Sequence, residues 1–194
     1  MKTVRLIGIA GVCQGCGTTH LAILTANCLA SWMQRRAALI DWSGHGDFAA
    51  IEALMASGRE KNGKTSARGY SLLDVDYYRE GTPGILAACM EGPYDDVVID
   101  FGQLQSGIRE DWLRCGTKIL TASLSEWKLG VFLEFLEREM RPGSGWIYAA
   151  AFGSEDTRKR MERRFGISLK RIPLSVDAFS VDSRVKDWLE GILK

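Results

Sequence analysis

The sequence lacks a strong excess of either charge, with 25 basic and 24 acidic side chains in 194 residues and a net charge of +1. This near balance gives no electrostatic reason to expect broad binding to nucleic acids or to membrane surfaces. The chain also lacks an apolar stretch of the roughly 20 residues that a transmembrane helix needs. It has no internal repeats and no low-complexity tracts. Any partner must therefore be recognised by a local site.

Cysteines do not occur in the pattern that a disulfide framework needs. The five cysteines are an odd number in a mid-sized chain. The basic start and short apolar run of MKTVRLIGIAGVC could suggest a secretion signal, but a glycine-rich loop and an amphipathic helix follow at once, which favours a strand. We therefore expect free thiols, a reducing environment and a cytoplasmic location.

The sequence does contain short apolar runs that alternate with longer helical patterns. This alternation predicts an α/β fold with a mostly parallel sheet and helices on both faces. The length suits a single domain over residues 1–194. The predicted strands are Thr3 to Ala10, Ala37 to Asp41, Asp96 to Asp100, Lys118 to Ala122, Trp146 to Phe152 and Lys170 to Pro173. The predicted helices are Thr19 to Gln34, Phe48 to Ser57, Pro83 to Met90, Arg109 to Arg114, Glu126 to Met140, Ser154 to Phe165 and Val181 to Leu193.

Three segments need separate treatment. Residues from Gly58 to Arg68 are polar, glycine-containing and basic, which predicts a mobile surface loop. The following SLLDVDYY predicts one short additional edge strand. LSEWKLGVFLEFLEREM is strongly amphipathic and includes Trp127, which predicts a helix that covers the sheet. The alternative is that an exposed part of this helix faces a partner.

The first predicted strand runs straight into GVCQGCGTTH, and a helical pattern follows. A strand, a glycine loop and a helix in this order collect free backbone N–H groups and the positive end of a helix dipole, which suits a phosphate. Gly15 and Gly17 allow the backbone to approach a ligand or to take a positive φ, and Thr19 supplies a hydroxyl where the helix starts. A tight turn with a threonine cap explains the same residues without a ligand.

On these residues the sequence resembles the deviant Walker A ATPases of the ParA/MinD type, and most closely the CpaE-like proteins of Flp/Tad pilus assembly. The resemblance runs nearly end to end and implies a three-layer P-loop NTPase-like fold that binds ATP or ADP with Mg²⁺. The family loop, K-G-G-x-G-K-[ST], falls on Cys13 to Thr19. Both of its lysines are therefore replaced, the first by Cys13 and the second by Thr18.

Loss of these lysines predicts a degenerate phosphate loop. A P-loop lysine donates charge-assisted hydrogen bonds to the phosphates, and losing one such contact lowers affinity about 10- to 100-fold. The residues that the resemblance places at the phosphates are Gly15, Cys16, Gly17, Thr18 and Thr19. His20 is a candidate for an extra donor, and a packed or solvent-facing His20 is the alternative. We expect ATP hydrolysis to be slow or absent.

Two aspartates end predicted strands beside this loop. YDDVVIDFG resembles a Walker B segment, so Asp100 would hold the Mg²⁺ shell while Thr19 touches the metal directly. Asp41 corresponds to the family's switch-region aspartate, which positions the attacking water, and it is the catalytic candidate. Asp100 could instead simply end its strand and cap the next segment. His45 and Asp47 lie in the segment after Asp41, where a solvated turn explains them.

The base-binding side departs from the family pattern. Relatives often place an asparagine at the end of a late strand to recognise adenine, and this chain has IYAAAFGS there. KRIPLSVDAF keeps a strand followed by a proline, so Pro173 is the base-side candidate. Asp177 lies near a position where relatives often carry an Asp-Pro pair. Base specificity therefore stays open.

Cys13 and Cys16 form a C-x-x-C inside the loop, which suits a redox pair or half of a zinc site. The chain has no second such pair to complete the zinc ligands, although a homodimer joined over the loops would supply one. Small side chains packed in a tight turn explain both cysteines without a metal.

The resemblance thus implies a nucleotide-binding adaptor in a cell-envelope assembly or localisation system of the Flp/Tad pilus or secretion kind. Its partners would be proteins, with a homodimer and recruitment to the inner face of the membrane by partners, and without direct nucleic-acid binding. Two alternatives stay open. One is an active Mg²⁺-dependent ATPase in which His20, or a lysine or arginine from elsewhere, replaces the missing charge. The other is a redox or metal-binding module centred on Cys13 and Cys16.

Overall fold

The computed structural model describes residues 3–57, 68–139 and 145–193. The strands are β1 Arg5–Gly11, β2 Ala37–Asp41, β3 Gly69–Leu72, β4 Val75–Tyr78, β5 Asp96–Gln103, β6 Thr117–Ser123, β7 Trp146–Ala151 and β8 Leu169–Arg171. The helices are α1 Thr18–Ser31, α2 Asp47–Ser57, α3 Pro83–Glu91, α4 Ser106–Arg114, α5 Glu126–Arg138, α6 Glu155–Phe165 and α7 Ser183–Ile192. The segment predicted to be a mobile loop lies outside the described residues except for Arg68.

The strands form one eight-stranded sheet in the order β3-β4-β2-β5-β1-β6-β7-β8. Every neighbouring pair is parallel except the antiparallel pair β3 and β4. The predicted α/β class with a mostly parallel sheet is therefore confirmed. Each predicted strand and helix occurs, with ends that move by a few residues. Helix α1 stops at Ser31 rather than Gln34, and Gln34 takes a φ of 52°, which lies outside the α-helical region.

SLLDVDYY does not form one edge strand, and that prediction was wrong. Its residues belong to two strands, β3 and β4, which pair as a hairpin with Leu72 opposite Val75. The two turn residues, Leu73 and Asp74, have φ of 49° and 62°, as a two-residue type I′ hairpin requires. The hairpin places β3 at the sheet edge, while β4 lies inside and pairs with β2 in parallel.

Two apolar clusters pack on opposite faces of the sheet, because successive strand residues point to opposite sides. In β5, Val98 belongs to the cluster under α1, α2 and α7, while Val97 and Ile99 belong to the cluster under α3, α4, α5 and α6. Helix α5 covers the sheet as predicted, and its buried residues are Phe132, Phe135 and Leu136. Trp127, in contrast, is 80% exposed in the first turn of α5.

Candidate functional site

The candidate site lies at the carboxyl edge of the sheet, where the loop after β1 sits between the ends of β5 and β6. The chain leaves β1 for strands on one side and later returns to β6 on the other, which is the place where open α/β sheets bind ligands. A cavity of about 320 Å³ opens there. It is lined by residues 13–15 and 17–19 of the loop, by His45 and Asp47 after β2, and by Gly102 and Gln103 at the end of β5.

The loop presents backbone N–H groups to this cavity. Gly15 and Gly17 take φ of 67° and 82°, in the left-handed region that favours glycine. Gly17 is the N-cap of α1, and no side chain caps the helix, so the interpretation of Thr19 as a threonine cap was wrong. Among the residues that the structure describes, no acceptor binds the N–H groups of Gly15, Gly17, Thr18 and Thr19. The helix start therefore keeps the free donors that an anion needs.

Thr18, which the sequence resemblance aligned with the second loop lysine, directs its hydroxyl into the protein. Its Oγ1 lies 2.9 Å from Oγ1 of Thr121, which itself donates to the Ala10 carbonyl at 3.2 Å. Because a hydroxyl has one proton, Thr18 is the donor of this pair. A Cβ on Gly11 would overlap Thr18 Oγ1, so Gly11 gives this side chain its space. The Thr18 hydroxyl is thus already bonded, and only its backbone N–H remains free for a phosphate.

Asp41 and Asp100, the two aspartates predicted beside the loop, are brought together. They are register partners on the adjacent strands β2 and β5, and each is about 1% exposed. Asp41 Oδ1 accepts from Ser43 N at 3.0 Å and Ser43 Oγ at 2.6 Å, and Asp100 Oδ1 accepts from Gly102 N at 2.9 Å. The Oδ2 atom of each aspartate is buried and has no partner among the described residues. A third buried aspartate, Asp96, instead binds Arg5 and Arg35 and has a structural role.

The environment of Asp100 opposes a lone negative charge. Burial raises the pKa of Asp100 to about 6, against the lowering effect of the nearby Thr19 hydroxyl and of the hydrogen bond from Gly102 N, and Asp41 and Asp47 raise the pKa further. Thr19 also contacts Asp47, with 3.4 Å from its hydroxyl to Oδ2. Two buried, unpartnered carboxylate oxygens beside a hydroxyl are the hard oxygen donors that Mg²⁺ prefers. The site therefore fits this cation.

The described residues contain no group of three or more His, Cys, Asp or Glu side chains placed to hold a metal ion. This does not conflict with a fit to Mg²⁺, because Mg²⁺ usually keeps several waters and binds through one or two carboxylates plus substrate phosphates. Thr19 and Asp100, the predicted metal ligands, would hold the ion, with Asp41 beside them. Zn²⁺, which takes four protein ligands in structural sites, is a poor match.

His20 and Pro173 do not line the cavity. Burial lowers the pKa of His20, with Asp177 acting in the opposite direction, so the ring is neutral near pH 7 and supplies no positive charge. Pro173 follows β8, three strands away from β1. The segment after Pro173 returns toward α1, because Ala178 and Phe179 pack on the cluster under that helix. Asp177 is thereby brought near His20.

The C-x-x-C pair lies within the loop with its sulfurs 2.8 Å apart. Cys16 is buried beneath the loop, whereas Cys13 is half-buried. Burial raises the pKa of the Cys16 thiol to about 12. Cys13 also raises this pKa, and Lys128 lowers it. The thiol is therefore protonated at neutral pH, which makes it a poor nucleophile.

One residue of the site was missed by the sequence analysis. Lys128, in the first turn of α5, donates from Nζ to the carbonyl oxygens of Gln14 at 2.7 Å and Gly15 at 2.8 Å. No other lysine or arginine of the described residues hydrogen-bonds the loop from Cys13 to Thr19. The only signal in the sequence was its position after a strand predicted to lie in the same sheet as β1.

In the described part of the chain, no helix is both long enough and apolar enough to span a bilayer. No family model matches the sequence, and no curated protein matches it either. A plasmid partition protein from Borrelia burgdorferi B31, bound to AMPPNP, matches with a TM-score of 0.66 at 15% identity, over 99% of this chain and 97% of that chain.

Two further solved structures have the same fold. A ParA family ATPase from Chlorobium tepidum TLS matches with a TM-score of 0.56 at 15% identity, over 97% of this chain and 90% of that chain. A chain of the MinC:MinD cell division protein complex from Aquifex aeolicus matches with a TM-score of 0.58 at 14% identity, over 97% and 86%. The chain therefore has the α/β fold of ParA/MinD-type P-loop ATPases.

Proposed function

We propose that this chain binds ATP or ADP with Mg²⁺ at the carboxyl edge of its sheet. The single observation that carries the proposal is a loop with four free backbone amides after β1, beside the end of β5, where Asp100 and its neighbour Asp41 each keep a buried carboxylate oxygen without a partner among the described residues. Amides at a helix N-terminus bind phosphate oxygens, and a magnesium ion between phosphates and carboxylates neutralises charge on both. The match to a plasmid partition protein bound to AMPPNP supports the same ligand class.

We further propose that nucleotide binding serves an adaptor function with weak or no hydrolysis. The second lysine of the family loop is absent, and the hydroxyl of Thr18, which replaces it, is bonded to the buried Thr121 hydroxyl. The partners would be proteins of a cell-envelope assembly or localisation system, of the Flp/Tad pilus or secretion kind. A homodimer, and recruitment to the inner face of the membrane by these partners, belong to the same proposal.

An active Mg²⁺-dependent ATPase is the second candidate, and the unpartnered carboxylate oxygen of Asp41 favours it. Asp41 Oδ2 is buried and without a partner among the described residues, so it is free to accept a proton or a hydrogen bond from water. This candidate predicts measurable turnover that Asp41→Ala abolishes. A redox function of Cys13 and Cys16 has less support because the Cys16 thiol stays protonated at neutral pH, and a metal-binding function has less support because the described residues place no third His, Cys, Asp or Glu ligand with them.

Calorimetric titration of the nucleotide-free protein with Mg²⁺ and AMPPNP tests the proposal. Gly17→Val should abolish binding, because the space at the Gly17 Cβ position is open and Gly17 lines the cavity. Gly166→Val is the matched control. Gly166 also has a positive φ, 65°, with open space at its Cβ position, but it caps α6 away from the cavity.

Micromolar binding by the wild type and by Gly166→Val, but not by Gly17→Val, is the expected result. Absence of binding by the wild type at millimolar AMPPNP would refute the proposal. Turnover of ATP measured on the same samples then separates an adaptor from an enzyme, and Asp41→Ala identifies the source of any turnover.

A further inference from the structure

His45 is part of the wall of the cavity beside the phosphate loop. Of the residues that line this cavity, it is the only one with a basic side chain. Gln14 and Gln103 line it with neutral amides, and Asp47 lines it with a carboxylate, which repels a phosphate. A phosphate bound in the cavity would therefore have one basic side chain among its neighbours, in addition to the free amides of the loop.

The end of β5 gives the imidazole of His45 its space. Gly102 has a φ of 59°, in the region that favours glycine. A Cβ at this position would lie 2.7 Å from Ser43 Cβ and 3.1 Å from His45 Cε1. The imidazole therefore packs directly on the backbone of Gly102, whose N–H donates to Asp100 Oδ1 at 2.9 Å. This contact places His45 beside the end of β5 that carries Asp100.

The backbone of His45 is held in place, while its ring is free. Asp41 Oδ1 accepts hydrogen bonds from Ser43 Oγ at 2.6 Å, from Ser43 N at 3.0 Å and from Gly44 N at 3.3 Å. Ser43 Oγ in turn accepts from His45 N at 3.1 Å. The imidazole has no hydrogen-bond partner among the described residues. Because an imidazole carries at least one N–H, whether neutral or protonated, a donor is available to a ligand.

The position of His45 relates it to the end of the phosphate chain. In P-loop sites Mg²⁺ bridges oxygens of the β- and γ-phosphates. The candidate metal ligands, Thr19 and Asp100, therefore mark where these two phosphates would lie. His45 lines the same cavity as Thr19 and packs on Gly102, two residues after Asp100. A donor at this place suits the terminal phosphate of a triphosphate, which a diphosphate lacks.

From this geometry we propose that the imidazole of His45 donates a hydrogen bond to the terminal phosphate of a bound nucleoside triphosphate, so that the site prefers a triphosphate to a diphosphate. The inference rests on the proposed nucleotide binding and adds to it the residue that distinguishes the two ligands. It also links this distinction to Asp41, because Ser43 Oγ joins the backbone of His45 to the Asp41 carboxylate.

His45→Ala tests the inference, because it removes the imidazole and keeps the backbone N–H that bonds to Ser43. His20→Ala is the matched control, since His20 is the other histidine of the chain and does not line the cavity. The nucleotide-free proteins are titrated calorimetrically with Mg²⁺ and AMPPNP, and separately with Mg²⁺ and ADP. We expect His45→Ala to weaken AMPPNP binding about 10- to 100-fold and to leave ADP binding unchanged. His20→Ala should bind both ligands as the wild type does.

The outcomes separate this inference from the proposed nucleotide binding. Unchanged ADP binding by His45→Ala shows that the variant is folded with an intact site. Equal AMPPNP affinities of the wild type and His45→Ala would overturn the inference and leave nucleotide binding intact. Equal weakening of AMPPNP and ADP would also overturn it, because His45 would then act on the whole site and not on the terminal phosphate. The same selective loss in His20→Ala would overturn it too. If the wild type binds neither nucleotide, the proposed function fails, and the inference fails with it.

Discussion

Asp41 and Asp100 stand side by side at the ends of β2 and β5, and each keeps one buried carboxylate oxygen without a partner among the described residues. Burial, with Asp41 beside it, raises the pKa of Asp100 and disfavours its ionised form. A divalent cation bound at these oxygens would offset that cost. The arrangement thus destabilises the empty protein and suits a protein that binds Mg²⁺ and a nucleotide.

Asp100→Asn should make the ligand-free protein more stable at neutral pH. Burial raises the folded-state pKa of Asp100 from 3.8 to about 6, so between these values the native protein binds more protons than the unfolded chain. Its stability therefore falls as pH rises through this window and stays reduced above pH 6. At pH 8 the variant should gain about 1–3 kcal/mol in the free energy of unfolding. Urea unfolding at pH 5 and pH 8 measures this gain.

Asp74→Asn is the control for that experiment. Asp74 is exposed in the hairpin turn at a positive φ, 62°, which asparagine tolerates well. The free energy of unfolding of Asp74→Asn should differ from that of the wild type by less than about 0.5 kcal/mol at pH 5 and at pH 8. If Asp100→Asn behaves like this control, the burial of an ionised carboxyl group is not a source of instability here. Mg²⁺ with AMPPNP should stabilise the wild type more than Asp100→Asn.

His20→Gln should leave nucleotide affinity unchanged near pH 7.5, because the imidazole is already neutral there. The lowered pKa of His20 instead affects how the stability of the protein depends on pH. The native protein binds fewer protons than the unfolded chain below the ordinary value of 6.5, so the wild type loses stability as pH falls below that value. His20→Gln should show a smaller loss between pH 7 and pH 5. A large drop in AMPPNP affinity for this variant would restore His20 as a phosphate ligand.

Alkylation should distinguish the cysteines of the native protein. Cys16, Cys28, Cys89 and Cys115 are buried, and burial raises the pKa of each thiol, whereas Cys13 is half-buried. Mass spectrometry after brief iodoacetamide treatment at pH 8 should find label on Cys13 first. Unfolding in guanidinium should expose all five cysteines. Rapid labelling of Cys16 in the folded protein would revive the redox hypothesis.

Two glycines near the base of α5 should respond in opposite directions to alanine. Gly130 lies within α5 with open space at its Cβ position, so Gly130→Ala should raise the free energy of unfolding by about 0.5–1 kcal/mol. Gly153 has a φ of 84°, and its Cβ would overlap Leu124, which precedes α5. Gly153→Ala should lower the free energy of unfolding by about 1–3 kcal/mol. Thermal unfolding of both variants provides the comparison, and equal effects would contradict the described packing.

Much of the fold was predictable because its signals are local. The apolar run before GVCQGCGTTH predicts β1 and its loop, and the runs ending at Asp41 and Asp100 predict two further strands. The hairpin β3–β4 was missed because its turn is Leu73–Asp74 rather than the glycine or asparagine pairs that usually signal such a turn. Hydrophobic periodicity and composition alone do not show that Leu73 takes a positive φ.

The candidate site was only partly predictable because it depends on the order of strands in the sheet. Asp41 and Asp100 become neighbours only when β2 and β5 are adjacent, although they are 59 positions apart in the sequence. Lys128 reaches Gln14 across 114 positions, and no spacing rule links them. The inward turn of the Thr18 hydroxyl likewise depends on Thr121 in the strand beside it. The residue types identified the candidate residues, but which of these residues lie close together depends on how distant strands pack.

The two outer strands of the sheet limit how copies of this chain associate. Strand β8 has three residues, of which Lys170 and Arg171 are exposed and positively charged, and β3 at the opposite margin has four. Short outer strands and exposed cations prevent a sheet from being extended by backbone pairing with a second molecule. Continuous sheets that run from one copy to the next are therefore disfavoured. Any assembly of several copies would therefore be built on surfaces other than the outer strands of the sheet.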